Sequence, residues 1–340
     1  MVLSRRELRL RLHSRLSSID QSNAWKRCES SGILMGVTVE EIEAFAAIAE
    51  LGGFTEASRK LNRSQPAISR RIRELEQSLG AALFERTGRR VALTDAGRAL
   101  LPYAEAALAA MRDGERAVRD AAVRPGGART LSLAIVGTLA DSHIVDALRT
   151  FESRFPEASV ELRTATSREV SALVRGGEAS LGLRYFPDAD PKLESIPLGV
   201  EKLLVVVPAA HPVTARRLPD LRAFEGERWL GFPPERGQPD SFGHLLDHRL
   251  PASGLVGAPI TRVDSLTAQK RLVQAGLGVA LMPISSVREE LRIGSLRAVE
   301  VADLDAALPV VVIRRRRGYR SGPAAAFLEV LKDYTPQLLD

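Results

Sequence analysis

The stretch LNRSQPAISRRIRELEQSLG, residues 61–80, constrains the chain more than any other, because cap, period and charge all act in it together. Ile68, Ile72, Leu75 and Leu79 follow a four, three, four spacing that draws one apolar stripe down a helix. Ser64 is suited to cap that helix, and Pro66 falls in its first turn, where a missing N–H costs nothing. The other faces carry Ser69, Arg70, Arg71 and Arg73 in the first turns, where the helix dipole disfavours cations. An anion outside the helix resolves that conflict.

The flanks say which anion. Upstream, Thr38 and Glu41 form a capping box, and Ile42, Phe45, Ile48 and Ala49 follow at helical spacing until Gly52 and Gly53 stop the helix. Thr55 is expected to cap a second short helix through Leu61, with Ala57 small enough for close packing and Asn62 suited to the left-handed turn behind it. Helix, short turn and helix with an exposed polar face make the layout of a helix-turn-helix. After Gly80 the period changes: ALFERTGRRVALT sets Leu83 and Phe84 before a Thr87-Gly88 turn and Val91 and Leu93 after it, a hairpin whose tip offers Arg86, Arg89 and Arg90. Residues 62–90 hold seven arginines against three glutamates. A basic hairpin beside a helix-turn-helix reads as a wing against the phosphate backbone, so the anion that Arg70, Arg71, Arg73 and the hairpin arginines call for is DNA phosphate, together with the acceptor-rich major groove. A merely solvated basic face would leave the coincidence of cap, turn, stripe and wing unexplained.

FTEASRKLNRSQPAISRRIRELEQSLGAALFERTGRRVALTDAGRALL closely resembles the N-terminal domain of LysR-type transcriptional regulators. The resemblance implies that Gln65, Pro66, Ser69 and Arg70 lie at the major groove, that Thr55 and Ser64 approach phosphates, and that Arg89 reaches the minor groove.

Thr94 then introduces a long helix on which Leu101, Ala104, Leu108, Met111, Glu115 and Val118 alternate steps of three and four, the seam of a two-helix coiled coil. A helix folded back onto its own domain is the alternative; in the resembling family this helix pairs two subunits. Two recognition helices presented together predict double-stranded DNA with two-fold related half-sites, and the family suggests a homotetramer built from such homodimers. Pro102, in the second turn, is expected to kink or loosen the helix.

RPGGART, residues 124–130, reads as a hinge. Beyond it, strand-like segments (LSLAIVG, SVELRTA, ASLGLRY, KLLVVVP, GVALMP, LPVVVIRR) alternate with helical ones, an α/β architecture in two lobes. DSLTAQKRLVQAGLGVALMP again looks like the LysR-type effector domain, which is similar to periplasmic solute-binding proteins. The expected fold class is thus α+β multidomain. It comprises a basic extension over residues 1–34, a winged helix-turn-helix over 35–94, a linker and dimerisation helix over 95–123, the hinge, and an effector-binding domain over 131–340. Within that domain lobe one takes about 131–200 and 306–340 and lobe two about 201–305, with crossings near 198–202 and 303–308. A cleft between the lobes would lie where strand ends meet helix N-termini: Gly137-Thr138, Thr166-Ser167 and Asp264-Ser265 each offer a hydroxyl and free N–H groups, suited to a small organic anion. Those hydroxyls are equally ordinary caps. Arg184 and Phe232 stand beside strand ends that could line its walls.

The rest is exclusion. With 45% hydrophobic and 26% charged residues the composition is that of a globular chain, and no stretch approaches the roughly 18 apolar residues of a membrane span. The net charge of +6 leans toward a polyanionic partner. Cys28 alone rules out an internal disulfide framework and fits the cytoplasm. Residues 1–34 hold seven basic against three acidic residues without the apolar core of a secretory signal; a disordered tail is expected, a targeting peptide or DNA-gripping arm is the alternative, and Met35 is a candidate for the true start. His244 and His248 are four apart but lack a third ligand, so no metal is expected, and no cofactor. RRRR, residues 314–317, reads as a solvated sheet edge. No nucleophile elbow, phosphate loop or paired-cysteine spacing supports an enzyme. The competing class is a solute-binding or enzymatic α/β protein with an incidental basic domain; the absent export signal and catalytic constellation count against it.

Overall fold

A computed structural model describes residues 36–87, 90–122, 129–140, 144–234, 242–304 and 307–334. The extension over residues 1–34, hinge residues 124–128 and Arg89 lie outside these. The chain divides into two compact units, Met1–Leu108 and Ala109–Asp340.

In the first unit, α1 (Val39–Leu51) opens on the Thr38 capping box and closes on Gly52 at φ +72°. Helix α2 is Phe54–Lys60, and its N-cap is Gly53, not Thr55. The reason lies far along the chain: the Phe54 ring packs edge-on to Phe84 at 6.0 Å, which draws the helix in before Thr55 can cap it. Asn62 takes φ +50° in the turn. Helix α3 (Gln65–Leu79) is capped by the Ser64 hydroxyl and ended by Gly80. Strands β1 (Phe84–Thr87) and β2 (Arg90–Leu93) form the hairpin, Phe84 opposite Leu93. Phe45, Ile48, Ile68, Ile72 and Leu75 fill one core, on which Leu101 and Ala104 of α4 (Asp95–Ala122) also pack. The expected seam is corrected here: its first part serves the winged domain's own core, and only Met111, Glu115 and Val118 remain exposed. Helix α4 runs through Pro102 without a break.

The second unit is built on strands β3 (Thr130–Val136), β4 (Ser159–Ala165), β5 (Leu181–Tyr185), β6 (Leu193–Pro208), β7 (Arg217–Leu218), β8 (Trp229–Gly231), β9 (Ile260–Arg262), β10 (Val279–Pro283), β11 (Leu296–Val301) and β12 (Ala307–Arg315). Lobe one has the order β4-β3-β5-β12-β6, and lobe two continues β6-β10-β8-β9 with β11 on the other side of β6. Strand β6 belongs to both sheets. It pairs antiparallel with β12 as far as Lys202 and with β10 from Leu203. The sequence run KLLVVVP is only the second half of this 16-residue strand. Helices α5 (Ile144–Arg154), α6 (Ser167–Arg175), α7 (Leu245–Ala252), α8 (Leu266–Gln274), α9 (Arg288–Arg292) and α10 (Gly322–Tyr334) accompany the sheets, and Phe151 of α5 meets Phe327 of α10 edge to face at 5.5 Å. The arginine run is not a solvated edge throughout: Arg314 pairs with Glu194 and Arg315 with Asp113. Among the described residues, no helix is long and apolar enough to cross a membrane.

Candidate functional site

On the winged unit, burial sorts the third helix as its stripe requires. Ile68, Ile72 and Leu75 are buried, while Gln65, Pro66, Arg70 and Arg73 are exposed and Ser69 is half-buried. Thr55 and Ser64 are exposed on the same unit. The Arg70 guanidinium donates to Glu74, one turn on, at 2.7 Å, and Arg73 donates weakly to the Ser69 carbonyl at 3.4 Å. Glu74 thus holds Arg70 in place on an open face, where a phosphate or base edge can compete for it. The wing is tied to this helix by Glu76, whose carboxylate accepts from the amides of Leu83 at 2.7 Å and Phe84 at 3.3 Å. The side chains of Arg86 and Arg90, like all of Arg89, lie outside the described residues.

In the second unit, the junction of the two lobes brings together groups that the strand-end reading singled out only in part. Gly137 and Thr138 leave β3 in a 3-10 turn, Gly137–Leu139, and not at an α-helix N-terminus. That turn touches the 3-10 turn Ile284–Val287 that follows β10 in lobe two. Tyr185, at the end of β5, donates its phenol to Glu201 of β6 at 2.9 Å. Glu201 also accepts from the amide of Ser285 at 3.3 Å and from its hydroxyl. The Thr138 hydroxyl, 4% exposed, lies beside the Tyr185 phenol yet makes no well-formed hydrogen bond. Phe242 packs on Tyr185 at 5.8 Å and meets Phe232 edge to face at 5.3 Å, so aromatic rings from lobe two reach the same junction. Burial pushes the Glu201 carboxyl up to about 7, against the hydrogen bonds from Tyr185 and Ser285 and the charge of Arg288. Burial and the adjacent Glu201 push the Tyr185 phenol well above its ordinary value.

The remaining expected cleft residues divide. Thr166 caps α6 in a box with Glu169, and buried Ser167 gives its carbonyl to Ser171. Ser265 caps α8, and Asp264 beside it is exposed. Arg184 is a correction: its guanidinium does not line a wall but turns inward to Asp188, Ser171 and the Tyr185 carbonyl. A buried cation needs such a partner, and Asp188 supplies it. Tyr185, Glu201, Ser285 and Phe242 were missed, although Glu201 did signal itself as the one acid amid the apolar residues of LGVEKLLVVVP.

A model of the LysR substrate binding domain matches residues 124–336, and one of the bacterial regulatory helix-turn-helix proteins of the lysR family matches residues 39–98. The chain belongs to the LysR family. It is a DNA-binding transcriptional regulator with an effector-binding domain. A probable RuBisCO transcriptional regulator of Cyanophora paradoxa is 28% identical over 299 residues, spanning 86% of this chain and 90% of the relative. Another, of Nostoc sp., is 29% identical over 296 residues, spanning 85% and 86%. Among solved structures, CbnR, a LysR family transcriptional regulator, aligns with a TM-score of 0.58 at 26% identity over 88% of this chain and 99% of that one. Full-length CbnR complexed with its target DNA aligns at 0.55, with 26% identity over 87% and 99%. In this LysR-family chain the Glu76 clamp matters to the wing: Glu76→Ala leaves the Leu83 and Phe84 amides without their acceptor and is expected to cost the winged domain about 2 kcal/mol, read as a lowered denaturant midpoint.

Proposed function

We propose that this regulator reads an operator with two-fold related half-sites through Gln65, Pro66, Ser69 and Arg70 at the major groove. Thr55 and Ser64 approach phosphates, Arg73 adds its charge on α3, Arg89 reaches the minor groove, and the wing arginines Arg86 and Arg90 lie against the flanking backbone. The observation that carries this reading is the exposed polar face of α3 beside a wing clamped to it by Glu76. Two chains pair along α4 through the exposed Met111 and Val118, and such pairs assemble into tetramers. Arg70→Ala should reduce discrimination among operators, costing about 1–3 kcal/mol at its base position. Arg89→Ala should lower affinity evenly across sequences and reduce the salt slope by about one. Gel-shift titrations at two salt concentrations separate the two effects, and unchanged binding by both variants would refute the assignment.

A small organic anion bound at the lobe junction is the signal, and Thr138, whose buried hydroxyl beside the Tyr185 phenol makes no well-formed hydrogen bond, is the group that supports this best. Gly137, Thr166, Ser167, Phe232, Asp264 and Ser265 surround the approaches, where strand ends and helix caps present N–H groups. Binding there shifts the lobes and hence the paired helices, altering how the wings sit on DNA. Thr138→Val should weaken the response to a panel of small mono- and dicarboxylates by about fivefold or more in thermal-shift titrations, with operator affinity in their absence unchanged. We place the protein in the cytoplasm, where its DNA is, and assign it no catalytic step.

A further inference from the structure

We propose that a small phosphate-bearing anion binds in a second site, a cavity of about 320 Å³ where the C-terminal half of α4 lies along lobe one. Arg112, Arg116 and Arg119 present one face of α4 to this cavity, and Arg129 enters it from the start of β3. Arg112 donates to the Gly176 carbonyl at 2.7 Å and Arg116 to the Ser180 hydroxyl at 2.9 Å, so both are fixed in place by neutral acceptors. Arg119 bonds only to a carbonyl of its own helix, at 3.4 Å. Among the described residues none of the four makes an ion pair.

The carboxylates around them are mostly spoken for. Glu178 is taken by Arg163 at 3.0 Å, Asp120 by the Tyr319 phenol at 3.0 Å, and Asp113 by Arg315. Glu115, Glu161 and Asp120, whose phenol partner is neutral, face four guanidinium groups, which leaves an excess of one positive charge. Burial lowers the Arg116 guanidinium's pKa; the charge of Asp113 opposes this, and those of Arg315, Arg119 and Arg112 add to it. Planar guanidinium forks match the oxygens of a phosphate, and its negative charge offsets the excess. The cavity is at the small end for ligand sites, which suits a phosphate monoester better than a duplex backbone. Such a ligand would bridge α4 to lobe one and hold the last turns of the helix against the effector domain.

The test uses the full chain in a buffer free of phosphate and sulfate, with inorganic phosphate as the probe, followed by phosphorus NMR and calorimetry. Saturable binding is expected, weakened about tenfold in Arg116→Gln. Arg119→Gln touches only its own helix, so it should weaken binding severalfold with no change in thermal unfolding. Absence of saturable binding, or equal binding by the wild type and both variants, overturns the proposal. Displacement of bound phosphate by a duplex that lacks an operator also overturns it, since the cavity would then belong to the DNA-contacting surface.

Discussion

Gly97→Ala should unfold the winged domain selectively, at a cost of about 3 kcal/mol, while leaving the effector domain's transition where it was. Gly97 lies in the first turn of α4, where its amide donates to the capping Thr94 hydroxyl and the helix passes directly over the base of the wing. A methyl group on its Cα would sit 2.2 Å from the Leu83 carbonyl oxygen and 2.8 Å from Leu93 Cδ2. The first of these is backbone and cannot rotate away, and that same carbonyl already accepts from the Thr94 amide at 3.0 Å. Helix and wing must therefore separate, breaking the cap and opening the core. A domain of this size holds only a few kcal/mol of net stability, so operator binding should disappear with it. The control is in the same helix: at Gly114 an added methyl meets nothing within 4 Å, and Gly114→Ala should stabilise by up to about 1 kcal/mol. Calorimetry of both variants distinguishes a local steric cause from a general intolerance of the helix.

The effector domain should lose about 3 kcal/mol of stability as pH rises from about 4.5 to about 7, through Glu201 alone. Its carboxyl is raised by burial from 4.5 to about 7. The folded value is the higher one, so across this interval the folded protein keeps a proton that the unfolded chain has released. The stabilisation is complete below the unfolded value and is lost as pH climbs through the folded one. Tyr185 stays protonated throughout, so it adds no transition there. Glu201→Gln keeps an acceptor for the phenol and removes the titration. Urea midpoints of the effector-domain transition at about pH 5 and about pH 8 should therefore converge in the variant, and equal pH dependence in both proteins would exclude Glu201 as the cause. The same proton makes a bound anion easier to accommodate at the junction, so carboxylate affinity should fall above neutrality in the wild type and not in the variant.

Features set by neighbours in the chain were legible in advance. The Thr38 box, the Ser64 cap, the left-handed Asn62 and the closing Gly80 depend on residues within one turn of each other, and their signals are local. What escaped depends on distant partners. Phe54 was claimed by Phe84, which moved the start of α2; Leu101 and Ala104 were claimed by the winged core, which shortened the exposed seam. Arg184 looked like a wall of the cleft because its strand end was visible and its burial against Asp188 was not. The lobe junction was half readable. Hydroxyls at strand ends pointed to Thr138, but Tyr185, Glu201 and Ser285 meet only because β5, β6 and the turn after β10 converge from 100 residues of intervening chain.

The strand shared by both sheets also orders the birth of the protein. Lobe two draws its own strands from one continuous span, Leu203 to Val301, whereas lobe one is finished only by β12 and α10 at the far end of the chain. On the ribosome, the first lobe must wait with Leu133, Leu183 and Phe151 uncovered until Val312 and Phe327 have emerged. A regulator truncated shortly before β12 is therefore expected to engage chaperones even though its reading head is already complete.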